Sequence, residues 1–98
     1  PLSNLRSAFP MTVLGQPISS LEDAHALLHR GGQTGLRKCL ASRLNVADGR
    51  VGWYSQPIGT GPDSAYPVLI LWNLAYEARH SSAAASFLCD SINNFEAF

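Results

Sequence analysis

The sequence predicts an α+β domain in two layers, with about three helices packed on a small, mainly antiparallel sheet. Three observations predict it. Residues 20–30 and 34–44 place apolar side chains at helical spacing behind hydroxyl caps. Residues 51–54 and 66–72 are short runs rich in aromatic and branched side chains, separated by Gly59, Gly61, Pro62 and Asp63. The chain has 98 residues, 46% of them hydrophobic, which is enough for one core and too little for two. Residues 1–98 are therefore read as a single domain.

Taken in order, residues 1–19 hold Pro1, Pro10, Gly15 and Pro17 around one apolar patch, Phe9 to Leu14, which suits an N-terminal arm or edge strand. Ser19-Ser20-Leu21-Glu22 has capping-box spacing, so a helix starts there. Leu21, Ala24, Leu27 and Leu28 line its inner side, and Gly31-Gly32 supplies the left-handed residue that stops it. Thr34 caps a second helix whose stripe is Leu36, Cys39, Leu40 and Leu44. Asp48-Gly49 is a turn, and Val51 to Tyr54 a short strand. Tyr66 to Trp72 reads as a strand buried on both faces, although Leu74 to Ala78 suits a helix equally well. Ser81 or Ser82 caps a final helix with Ala85, Leu88, Cys89 and Ile92 along one side.

Charge sets bounds on function. Seven basic residues balance seven acidic ones, so no net field draws the molecule to nucleic acid or membrane. The charges are nonetheless unevenly placed. Arg30, Arg37, Lys38, Arg43 and Arg50 face one acid, Asp48, within residues 30–50, whereas Arg79 stands against Asp63, Glu77, Asp90 and Glu96 from 51 onwards. The five basic side chains are candidate contacts for phosphate or another anion. The apolar run Val68 to Trp72 is far short of the ~20 residues a spanning helix requires. Residues 1–6 lack the pattern of a secretory signal. Cys39 and Cys89 could pair, but in a chain able to build a core they read as buried apolar thiols, which places the protein in the cytoplasm.

Few residues have the spacing that chemistry demands. Glu22, His25 and His29 share a helical face, and histidines four apart can grip one metal ion, so His25 and His29 are the candidate metal ligands. Gly31-Gly32-Gln33-Thr34-Gly35 lacks the lysine of a phosphate loop, yet its amides could hold an anion at a helix start. No nucleophile elbow or dinucleotide fingerprint is present, and no cofactor is expected.

Two stretches resemble known patterns. Leu40 to Val51 resembles the helix-turn-helix of bacterial DNA-binding proteins, with Ala41 at the helix approach, Asn45 at the turn and Val51 returning to the core. The resemblance implies that Asp48 to Tyr54 enters the major groove, where Gly49 and Gly52 would each cost the helix roughly 1 kcal/mol. Residues 20–95 resemble the closing part of the effector-binding domain of LysR-type regulators at Gly31, Gly49-Arg50-Val51 and Phe87. That likeness implies an apolar strand at Tyr66 to Trp72. It departs from the family at Gln33 to Lys38, which is polar where the family has an apolar strand, and no membership is drawn from it.

Charged residues are only 14% of the chain, against the ~25% of ordinary domains, which leaves little to keep a surface wet. The expected function is a non-catalytic interaction or regulatory module whose partner is another protein or, most simply, a second copy. Trp53, Tyr54, Trp72, Phe95 and Phe98 are the candidate interface residues. The alternatives are a helix-turn-helix regulator using the basic 30–50 segment, and a small metal-assisted or thiol enzyme.

Overall fold

The computed structural model describes residues 2–51, 60–63 and 66–94. The α+β prediction holds. Among the described residues there are five α-helices and one two-stranded antiparallel sheet: α1 (Leu2–Ser7), β1 (Met11–Val13), β2 (Gln16–Ile18), α2 (Leu21–His29), α3 (Thr34–Ala47), α4 (Pro67–Glu77) and α5 (Ser82–Asn93), with a 3-10 turn at Gly61–Asp63.

The stretch expected to be an arm or edge strand does hold a strand within the patch Phe9 to Leu14, as half of a hairpin that follows a short helix. Met11 pairs with Ile18, Thr12 with Pro17 and Val13 with Gln16 across the two-residue turn Leu14-Gly15. Both turn residues have positive φ, 51° and 80°, which is the backbone twist that tight hairpins require. Alternation then sends Met11, Val13 and Ile18 into the core and Thr12 into solvent. Pro17 fits because a two-stranded sheet has only edges.

α2 starts where the sequence says, with the cap on the second serine: Ser20 Oγ accepts from the Asp23 amide at 3.1 Å. Glu22 is left free to reach Arg6 of α1. α3 begins at Thr34, which is its first residue and not its cap as expected; the N-cap is Gln33, in the left-handed region at φ 50° and with no side-chain capping bond. Its stripe is as read: Cys39 and Leu40 are fully buried, with Leu36 and Leu44 packed alongside.

The main correction concerns residues 66–72, which are helical and belong to α4. Tyr66 is extended, and Pro67 occupies the first helical position, where its fixed φ suits the turn and its missing N–H costs nothing. From there Val68, Leu71, Trp72 and Ala75 repeat at helical spacing, and Val68 and Ala75 are fully buried. An apolar period sustained from Val68 to Ala75 outweighs the strand preference of its first few residues. The strand implied by the likeness to LysR-type effector domains is therefore absent, and so is its basis. The expected strand at 51–54 lies outside the described residues beyond Val51, which is buried.

α5 is the centre of the fold, packing on both α3 and α4. Contacts between α3 and α5 climb in step: the Gly35 amide donates to Ser82 Oγ at 2.9 Å, Ser42 Oγ to the Cys89 carbonyl at 2.9 Å, and Asn45 Nδ2 to Asn93 Oδ1 at 2.9 Å. The two helices thus run parallel, and α4, joined to α5 by the short connection 78–81, packs on α5. A Cβ on Gly35 would stand 3.0 Å from the Ser82 carbonyl oxygen, so glycine is what lets the helices approach there.

The second correction is covalent. Cys39 and Cys89 form a disulfide, with Cα atoms 5.1 Å apart across fifty residues of sequence. The reading as separate buried thiols fails because the α3 and α5 stripes that bury each cysteine also face each other.

Candidate functional site

The basic residues of 30–50 are largely engaged with the protein itself. Arg30 donates to Gln33 Oε1 at 2.8 Å, and Arg37 Nε to the Gly32 carbonyl at 2.6 Å, so both brace the turn between α2 and α3. Lys38 Nζ lies 2.9 and 3.1 Å from the two Asp90 carboxylate oxygens, tying α3 to α5. Arg50 Nε meets Asp48 at 2.8 Å. Arg43 sits half-buried on α3. Exposed pairs of this kind contribute little stability, but they bring carboxylates into the face that was expected to meet phosphate. The amides of Gly31 to Gly35 are likewise committed in part, since the Gly35 N–H is held by Ser82 Oγ.

The recognition helix implied by the helix-turn-helix likeness does not form over its described part. α3 ends at Ala47, and Asp48 to Val51 are turn and bend, with Gly49 at φ 78°. Asn45, cast as the turn, lies inside α3. Glycine's freedom at positive φ is what breaks the helix where the pattern required it to continue. Tyr54 and the residues between it and Val51 lie outside the described residues.

His25 and His29 do come together. Both are exposed on α2, with their Nε2 atoms 3.0 Å apart and ring centres 4.2 Å apart. Glu22, on the same face, is occupied by Arg6. That hydrogen bond, joined by one from the backbone of Glu22, holds its carboxyl below the ordinary value. Among the described residues no group of three or more His, Cys, Asp or Glu side chains converges. With Cys39 and Cys89 bonded, a thiol nucleophile is absent among them as well.

Of the five expected interface residues, Trp53, Tyr54, Phe95 and Phe98 lie outside the described residues. Trp72 is partly buried and packs on the core, because it shares the inner stripe of α4. Among the described residues the exposed large apolar side chains are Phe87, 72% exposed, Tyr76 47%, Leu74 43% and Tyr66 37%. Tyr76 carries the Arg79 guanidinium over its ring at 4.2 Å. The sequence held the signal for Phe87 and Leu74. At 100° per residue, Phe87 falls opposite the stripe of Ala85, Leu88, Cys89 and Ile92, and Leu74 falls well off the line from Val68 to Ala75.

A shallow cleft of about 370 Å³ lies between β2, α2 and α3, lined by Gln16, Ile18, Asp23, Leu27, Arg30 and Leu36. It offers one acid, Asp23 of α2, one cation, Arg30 at the end of that helix, and one hydroxyl, Ser19. Among the described residues no helix is long and apolar enough to cross a membrane. Comparisons with protein-family models, curated proteins and solved structures find nothing that matches the chain.

Proposed function

We propose that the chain is a non-catalytic interaction module that self-associates through the outer side of α4, with Phe87 of α5 as a second apolar contact. The observation that carries this is the composition of α4 set against its position. A stretch of helix apolar on every side is normally enclosed. Pro67 to Trp72, the first half of α4, is such a stretch, with Asn73 and Glu77 following on its outer side, yet α5 is the one described element on which α4 packs extensively. Leu74 is exposed, and Leu69 and Ile70 are only half-buried. A second copy is the simplest cover, since zero net charge opposes no approach of like molecules.

The disulfide supports an oxidising compartment over the cytoplasm expected from free thiols, because glutathione keeps cytoplasmic cysteines reduced. Nucleic-acid binding has less support: Lys38 and Arg50 are paired with carboxylates, and the helix that would enter the groove is missing over Asp48 to Val51.

Sedimentation equilibrium over a wide concentration range tests the proposal. The average mass should rise from monomer towards dimer, and Leu74→Asp should weaken the association by about tenfold or more, the cost of placing a charge in an apolar contact. A monomeric mass at every concentration overturns it.

A further inference from the structure

We propose that His25 and His29 form a two-nitrogen chelate on α2 for one divalent transition-metal ion, with copper(II) held more tightly than nickel(II) or zinc(II). The inference does not depend on self-association. Helical geometry stacks residues four apart on one face, and here it brings the two Nε2 atoms to 3.0 Å. The rings are tilted at 58° to each other with centres 4.2 Å apart, so the two Nε2 edges are closer together than the ring centres are. Without an ion, one Nε2–H donates to the other ring across that distance; moving its proton to Nδ1 exchanges this hydrogen bond for two Nε2 lone pairs that a common ion can take.

The spacing selects the metal. An ion at the usual 2.0–2.1 Å from both nitrogens would see them at an angle of about 94° across their 3.0 Å separation. That is close to the right angle of square-planar and tetragonal sites, which copper(II) and nickel(II) prefer. Tetrahedral zinc would have to part the nitrogens to about 3.3 Å. Affinity for nitrogen ligands also peaks at copper in the divalent series. No third His, Cys, Asp or Glu converges on the pair among the described residues, and both rings are exposed. The remaining coordination positions are therefore left to water or to an incoming ligand, as in sites that exchange ligands rather than in closed structural ones.

Titration of the intact chain with copper(II) alone, followed by calorimetry and by amide NMR spectra, tests this. One ion should bind per chain, and substoichiometric copper should broaden the signals of residues 22–30 first. His29→Ala should weaken binding on the order of 100-fold, because the second nitrogen acts at high effective concentration. His80→Ala, which removes an exposed histidine elsewhere, should leave binding unchanged. First broadening away from α2, or a His29→Ala affinity within about threefold of the parent, would show that the chelate contributes nothing beyond a single ligand and would overturn the assignment. Both side chains are exposed, so neither variant threatens the fold.

Discussion

Opening the bond between Cys39 and Cys89 should remove a large share of this domain's stability. The two cysteines are fifty residues apart in sequence, so the cross-link closes a loop of about half the chain. In the chain-entropy account, a loop of that length removes about 14 cal/mol/K from the unfolded ensemble, or about 4 kcal/mol at room temperature. Domains of this size are stable by about 5–15 kcal/mol, so the reduced form should be marginal. For about 100 residues the loss corresponds to a fall in melting temperature on the order of 20 °C. The perturbation is best made twice, by reductant on the parent chain and by the double substitution Cys39→Ala and Cys89→Ala, which keeps the site apolar. Thermal and urea unfolding followed by circular dichroism supply the readout. The parent in reductant and the double variant should melt together, well below the oxidised parent, and reductant should not move the double variant further. Two thiols that react in the native, never-reduced protein would refute the reasoning, as would a melting temperature indifferent to reductant.

Two other outcomes follow from local geometry. Gly35→Ala places a Cβ 3.0 Å from the Ser82 carbonyl oxygen and 3.1 Å from its Cα, neither of which can swing aside. Net destabilisation of about 1–2 kcal/mol should remain after the helix preference of alanine is credited. Gly31→Ala meets nothing within 4 Å and should leave the urea midpoint nearly unchanged, and equal midpoints for the two variants would contradict the close crossing. Glu22 should titrate below 4.5, chiefly because Arg6 hydrogen-bonds its carboxylate. A depressed value means that this contact helps the folded state above the unfolded pKa and is lost as pH falls through the folded one. Carbon NMR of the Glu22 carboxyl should show the midpoint rising towards 4.5 in Arg6→Ala, whereas an unmoved midpoint would separate the two residues.

The helices were legible where their signals were local. Ser20 and the Leu21 to Leu28 spacing define α2, although it ends on an extended Arg30 before the left-handed Gly32, and Ser81 with Ala85, Cys89 and Ile92 defines α5, because caps and periodicity act within a turn or two. The register between α3 and α5 was not legible, since nothing local records which stripes meet. That is why Cys39 and Cys89, each correctly assigned to a buried face, were not joined. Residues 66–72 misled because a short apolar run suits either a strand or a buried helix, and the deciding feature was its continuation through Ala75 behind Pro67. At the candidate sites, the His25 and His29 pairing followed from spacing alone. The engagement of Lys38 with Asp90 depended on tertiary packing across fifty-two positions and left no local trace. Composition alone favours Trp72 as a surface aromatic, whereas its place on the inner stripe of α4 packs it on the core, and the wheel position of Phe87 sets that ring outside the core.

Self-association through the outer face of α4 is tested most directly by methyl and aromatic NMR spectra of the intact chain across a dilution series. The Ile70 and Leu74 methyl signals and the Phe87 ring should shift together with concentration, while Val13, enclosed on the inner face of the hairpin, stays fixed. Spectra that are superimposable from the most dilute to the most concentrated sample, or shifts confined to other surfaces, would contradict the account.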